Sequence, residues 1–262
     1  MLPIRDNIPT RRFPIVTIVL VAINVAMFFG FQHAHWDGHG FAVSQSNTVK
    51  YAYIPYEFTH MGKKCGLTQD GGVACERVAG ELDRAGIPPG DSQPSVWLTI
   101  LFAMFMHGGL LHIGGNMLFL WIFGNNIEDS MGRVRFVAFY LLAGFAATLV
   151  QTAVGPNSTV PNLGASGAIA GVLGGYALLY PRARVATLVF IVFFVTVLEL
   201  PALLVLGGWF LLQLLDASTA GGGASGGVAY FAHVGGFIFG LLAIKLFAKD
   251  VRDDYVHPKA IY

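Results

Sequence analysis

The chain has 262 residues, of which 55% are hydrophobic and 12% are charged, with a formal net charge of +1. Soluble domains carry about 25% charged residues, so this composition argues against a water-soluble protein. A net charge near zero gives no support to nucleic-acid binding. Several apolar runs approach the ~20 residues that span a hydrocarbon core. The composition therefore predicts a polytopic membrane protein embedded in a lipid bilayer.

The apolar segments predict an all-α fold with six transmembrane helices and a long first loop. The first segment lacks the small-residue cleavage pattern of a signal peptide, so we expect it to be retained. The expected helices are 13–33, 110–127, 134–154, 166–180, 199–216 and 228–247. They divide the chain into an N-terminal tail (1–12), the first helix (13–33), an outer loop (34–94), a core (95–248) and a C-terminal tail (249–262).

Basic residues predict the orientation. Lysines and arginines lie at both termini, whereas the loops 155–165 and 217–227 contain none. Because basic residues are retained in the cytoplasm, we expect both termini to be cytoplasmic and the first loop to lie outside a cell (inner) membrane. The apolar segment 185–198 is short for a crossing. It is interpreted as lying in or dipping into the cytoplasmic leaflet, and a seventh crossing is the alternative.

Two features of the first loop suggest local chemistry. Cys65 and Cys75 favour a disulfide if the loop faces an oxidising compartment, and two free thiols are the alternative. The stretch "HAHWDGH" (33–39) is rich in histidine and could bind a metal. A solvated stretch at the membrane interface is preferred, and no metal or cofactor is predicted.

Polar residues inside the apolar segments are the candidates for function, because burying them in lipid is costly. At about 1.5 Å per helical residue, Ser166, His233 and His112 lie about 18–22 Å above the cytoplasmic ends of three different helices. Asn116 shares a helix face with His112. Glycines at four-residue spacing would let the helices of Ser166 and His233 approach closely. This arrangement predicts a serine nucleophile with a histidine base, and two side chains that donate to an oxyanion.

Three motifs carry a family resemblance: "HGGLLHIGGN", "GASGAIAGVLGG" and "AHVGG". Together they resemble the rhomboid family of intramembrane serine proteases, over residues 97–250. The resemblance implies a six-helix core, transmembrane proteins as substrates, and an active site that opens to the extracytoplasmic side. It also assigns the site residues: Ser166 as nucleophile, His233 as base without an acidic third member, and Gly164, His112 and Asn116 at the oxyanion and substrate-binding site.

Two positions depart from the family pattern. Leu98 follows Trp97 where many members carry an arginine, and Ala170 stands where some members place a tyrosine against the histidine. A second GASG contains Ser225, which is interpreted as part of a flexible linker. Two alternatives to a protease remain: a catalytically silent rhomboid-like protein that binds membrane clients, and a transporter.

Overall fold

The computed structural model describes residues 2–38, 40–78, 80–87, 93–191, 194–219 and 229–250, which are mostly helical. The helices are α1 (Ile15–Ala26), α2 (Gln45–Tyr51), α3 (Pro55–Thr59), α4 (Glu81–Arg84), α5 (Val96–Ala103), α6 (Leu110–Phe119), α7 (Asn125–Met131), α8 (Arg133–Val154), α9 (Ser166–Leu179), α10 (Ala202–Thr219) and α11 (Tyr230–Phe247). The strands are β1 (Leu2–Asp6), β2 (His35–Trp36), β3 (Phe41–Ala42), β4 (Cys65–Leu67), β5 (Val73–Cys75), β6 (Arg184–Ile191) and β7 (Phe194–Pro201). One π-helical turn extends α1 and a second joins α6 to α7.

Two helices, α8 and α11, are each long and apolar enough to cross a membrane. Three shorter apolar segments accompany them in the described part of the chain: Ile15–Phe31, Ser166–Leu179 and Ala202–Asp216. Helix length and composition therefore support two membrane crossings among the described residues. The expected count of six is not confirmed by these criteria.

Helix α9 lies at the centre of the helical body, where almost all of its side chains are buried. A helix that is apolar on every side is typical of a protein core or a membrane interior, and α9 packs between α8 and α11. A Cβ atom on Gly236 or Gly240 of α11 would collide with the backbone carbonyl oxygens of Gly167 and Gly171. The two helix backbones therefore touch, which small residues permit in membrane helices.

The all-α expectation is wrong for Arg184–Ile191 and Phe194–Pro201, since these strands, β6 and β7, pair as an antiparallel hairpin. Together with β1 the hairpin forms a three-stranded sheet of order β1–β6–β7, in which Leu2 pairs with Leu188. The segment is rich in valine and threonine, which favour strands over helices. Arg184 pairs with Pro201 at the open end of the hairpin, so the chain returns to its starting level and the segment is not a single crossing.

The first loop is a folded structure that rests on the chain leading into α9. A disulfide joins Cys65 to Cys75 on the paired strands β4 and β5. Tyr53 and Asn162 exchange two backbone hydrogen bonds, at 3.1 and 2.7 Å. The Tyr53 and Thr152 hydroxyls are 2.6 Å apart. The loop is thus held without an arginine at position 98.

Candidate active site

Ser166 and His233 come together although 67 positions separate them in the chain. Ser166 is the first residue of α9, and His233 lies in the first turn of α11, where its side chain is buried. The distance from Ser166 Oγ to His233 Nε2 is 2.7 Å. At this separation an imidazole can take the hydroxyl proton, which makes a serine nucleophilic.

His112 presents a hydrogen-bond donor to the same space. The backbone N–H of Gly108 donates to His112 Nδ1 at 3.3 Å. A neutral imidazole carries one ring proton, so this bond places the proton on Nε2. A Cβ atom on Gly164 would lie 2.8 Å from that nitrogen and 3.3 Å from Ser166 Oγ. Gly164 has a φ of +130°, which favours glycine, and it keeps the space between the donor and the hydroxyl open.

Asn116 lies one turn after His112 on α6 and is 8% exposed. Its Nδ2 amide has no hydrogen-bond partner in the described part of the chain. A buried donor without an acceptor costs about 1–3 kcal/mol. A negatively charged oxygen at this position would accept a hydrogen bond from this amide, and it would also accept from the first N–H groups of α9, which have no acceptor within the helix.

A cleft of about 990 Å³ contains all four of these side chains. Its lining also includes apolar side chains from α6, α9 and α10: Phe119, Ile169, Leu173 and Trp209. A mostly apolar cleft with a few convergent polar groups is typical of a binding site. The cleft is therefore the candidate binding site.

The far side of His233 contacts two residues that the motifs did not reveal. Its Nδ1 is hydrogen-bonded to Gln213 Oε1 of α10. The ring of Trp209 lies 5.8 Å from the His233 ring, between centroids, at an angle of 39°. Trp209 thus supplies an aromatic contact where Ala170 cannot. The sequence alone could have indicated Gln213 as a candidate, because it is a lone amide side chain in an apolar segment.

Other sequence candidates lie apart from this cleft. His33, His35 and Asp37 are exposed, and His39 and Ser225 lie outside the described residues. Across the described ranges, no three His, Cys, Asp or Glu side chains are grouped so that they could hold a metal ion.

Comparison with known families decides the relationship of the chain. The family model for the rhomboid domain matches residues 94–250, which is more than half of the sequence. The chain belongs to the rhomboid family. This family includes intramembrane serine proteases.

Three relatives show how far the similarity extends. Rhomboid protein 1, mitochondrial, of Saccharomyces cerevisiae is 32% identical over 161 residues, covering 59% of this chain and 43% of the yeast protein. The human presenilin-associated rhomboid-like protein, mitochondrial, is 35% identical over 148 residues, covering 54% of this chain and 36% of its own length. Rhomboid-like protein 11, chloroplastic, of Arabidopsis thaliana is 29% identical over 163 residues, covering 58% and 53%. The chain therefore spans between about a third and about half of the length of these relatives.

The expected location in a cell (inner) membrane is wrong. The relatives carry names that place them in mitochondria and chloroplasts. The prediction failed because the distribution of basic residues indicates only the orientation of the helices, that is, which loops lie on the same side of the membrane. This distribution does not indicate which membrane it is.

Proposed function

We propose that this rhomboid is a serine endopeptidase that hydrolyses peptide bonds in or near the transmembrane segments of other membrane proteins. The observation that carries the proposal is the distance of 2.7 Å between Ser166 Oγ and His233 Nε2. Both groups lie in an apolar cleft among helices, where a membrane-spanning substrate would find similar surroundings.

The proposal includes six membrane crossings. They are α1 with its π-helical turn, α6 with α7, α8, α9, α10 and α11. The chain termini then lie on one face of the membrane and the first loop on the other. Helix α9 has 14 residues, which span about 21 Å of a core about 30 Å thick. Its first residue, Ser166, then lies below the face that carries the first loop.

The first half of the reaction forms an acyl-enzyme. Ser166 Oγ attacks the carbonyl carbon of the scissile bond while its proton passes to His233 Nε2. The carbonyl oxygen becomes an oxyanion that accepts hydrogen bonds from the Ser166 N–H, His112 Nε2 and Asn116 Nδ2. The carbon–nitrogen bond then breaks, and the leaving amine takes the proton from His233.

The second half releases the product. A water molecule gives a proton to His233 Nε2 as its oxygen attacks the acyl ester. The bond to Ser166 Oγ breaks, and the proton returns from His233 to the serine. Hydrolysis at this depth in the membrane requires a path for water. Polar groups inside a membrane protein can be reached by water only through a cavity that opens to solvent. The cleft supplies such a path beside the first loop, past Trp36 and Gly40.

The proposal is tested with a fluorophosphonate probe, which reacts with activated serines. We expect the full chain to be labelled and to cleave a transmembrane substrate reconstituted with it. Ser166→Ala and His233→Ala should each abolish both signals. The matched control is Ser225→Ala, which removes the serine of the second GASG and should leave both signals unchanged.

Labelling that survives Ser166→Ala would overturn the assignment of the nucleophile. A folded wild-type chain that binds membrane clients but neither reacts with the probe nor cleaves them would overturn the proposal in favour of a catalytically silent binding protein.

A further inference from the structure

We infer that Gln213 is a positioning residue that selects the tautomer of His233 and makes the base depend on the docking of α10. This inference rests on the proposed function, because it gives His233 the role of a base. It goes beyond the Ser166–His233 pair by adding a residue from a third helix.

The position of Gln213 in the chain is the first observation. Between Ala202 and Leu215, α10 consists of apolar residues apart from this single amide side chain. An amide in an apolar membrane segment is costly unless it finds a hydrogen-bond partner. Gln213 finds one in the ring of His233, so the amide faces the protein interior.

The chemistry of the contact determines where the imidazole proton lies. The contacting atom is Gln213 Oε1, a carbonyl oxygen that can only accept a hydrogen bond. His233 Nδ1 must therefore donate and carries the single ring proton of the neutral imidazole. His233 Nε2 is then bare and accepts from the Ser166 hydroxyl at 2.7 Å. The opposite tautomer would present an N–H to the serine and could not take its proton.

This arrangement performs the task that a buried carboxylate performs in a Ser-His-Asp triad. There the acid holds the imidazole in the productive tautomer, and loss of that tautomer lowers kcat by about 10⁴. A neutral amide holds the proton more weakly than a carboxylate does. We expect Gln213 to contribute less than that, about 10²-fold in kcat.

Helix α10 holds His233 by two side chains on one face. Trp209 lies one turn before Gln213, and its ring packs beside the same imidazole. The next residue, Phe210, stacks on Phe237 of α11 at 4.4 Å between ring centroids. A displacement of α10 from α11 would break these contacts together. The orientation of the base is therefore tied to the docked position of α10.

The experiment compares two substitutions at Gln213 in the full chain. Gln213→Leu keeps an apolar side chain of similar size but removes the acceptor, and Gln213→Glu keeps an acceptor. We expect Gln213→Leu to lower kcat about 10²-fold with KM changed less than about twofold, while Gln213→Glu retains most of the activity. Leu211→Ala is the control, because this exposed side chain lies on α10 away from His233.

A second measurement reports the tautomer without activity. Ring nitrogen-15 NMR of His233 in the Ser166→Ala background should show a protonated Nδ1 and a bare Nε2. Gln213→Leu should shift the signals towards a mixture of the two tautomers. This readout also distinguishes positioning from a purely structural role. A loss of packing alone would not change the tautomer of His233, and the tautomer would not depend on the hydrogen-bond acceptor that Gln213→Glu retains.

Two results would overturn the inference: a Gln213→Leu variant with wild-type kcat, or a wild-type ring protonated at Nε2. If the wild-type chain neither cleaves substrate nor reacts with the fluorophosphonate, the proposed function fails instead. The NMR measurement then still decides whether Gln213 selects the tautomer.

Discussion

Single residues at the site are held in positions where their donors face the same small space. Gly108 fixes the proton of His112 on the nitrogen that faces Ser166, and Gly164 leaves that space free of a side chain. Asn116 contributes an amide that is buried and has no partner among the described residues. Preorganised donors of this kind stabilise charge that develops only in the transition state.

The first prediction concerns Asn116. Asn116→Ala removes one donor to the oxyanion and should lower kcat about 10²–10³-fold with little change in KM. Steady-state cleavage of a reconstituted transmembrane substrate measures the effect. Asn47→Ala is the matched control, since Asn47 is a half-buried asparagine of the first loop whose amide bonds a backbone carbonyl. A kcat within twofold of wild type in folded Asn116→Ala would exclude this residue from the oxyanion site.

At the scale of elements, the contact between α9 and α11 places Ser166 beside His233. His233 lies three residues before Gly236, so both face α9 from adjacent turns. The carbonyl oxygens of Gly167 and Gly171 occupy the space where side chains on Gly236 and Gly240 would lie. The separation of Ser166 and His233 therefore depends on glycine at positions 236 and 240.

The second prediction tests this contact. Gly240→Ala places a methyl group against backbone that cannot rotate away, and it should destabilise the fold by about 1–3 kcal/mol and reduce probe labelling of Ser166. Thermal unfolding in detergent micelles measures the stability. Gly207→Ala is the matched control, because a Cβ at this α10 position meets nothing within 4 Å. Equal unfolding temperatures for the two variants would contradict close packing of α9 on α11.

The sheet shows how an element can depend on distant sequence. β1 ends at Asp6, whose carboxylate accepts hydrogen bonds from Asn126 Nδ2 at 2.6 Å and Tyr176 Oη at 2.7 Å. Burial raises the pKa of Asp6 to about 6. β1 is thereby fastened to α7 and α9, and its free edge can pair with β6. The hairpin and the N-terminal strand stabilise each other.

At the scale of the whole molecule, the first loop is hydrogen-bonded to the segment that leads into Ser166. Thr59 Oγ1 donates to the Pro156 carbonyl at 2.6 Å, beside the paired backbone of Tyr53 and Asn162. The loop itself is organised around Glu57, which accepts from the Cys65 N–H and from Gln93 Nε2, both at 2.7 Å. Stability of the loop therefore bears on the segment that leads into Ser166.

The third prediction is a pH dependence centred on Glu57. Burial raises the pKa of this carboxyl from 4.5 to about 7, although its hydrogen bonds oppose the shift. Between these values the folded loop binds a proton that the unfolded loop releases, so its stability falls as pH rises. The stabilisation of the folded loop by the protonated Glu57 carboxyl is therefore complete below about pH 4.5 and lost above about pH 7.

Hydrogen exchange of the Cys65 amide, corrected for the intrinsic rate, measures this dependence. We expect protection to decrease across that interval in the wild-type chain and to change much less in Glu57→Gln, which stays neutral. Wild-type protection that stays constant over the interval would contradict the assignment. Glu76→Gln is the control, because Glu76 is a second buried glutamate of the same loop that accepts a backbone N–H.

Much of the helical body was predictable because its signals are local. The predicted helix 134–154 corresponds to α8, and 166–180 corresponds to α9 within a residue at each end. The hairpin was not predictable in the same way. An apolar run such as 185–198 fits a buried strand or a membrane segment equally well, and its partner β1 lies at the other end of the chain.

Composition and short motifs were enough to identify a membrane protein of the rhomboid family, since neither requires knowledge of distant contacts. They also indicated Ser166, His233, His112 and Asn116, because polar residues in apolar segments are conspicuous. The contact of Gln213 with the far nitrogen of His233 became visible only in the folded chain. It joins two helices across 20 positions, and it depends on the rotation and spacing of α10 against α11, which helix packing sets and local sequence does not encode.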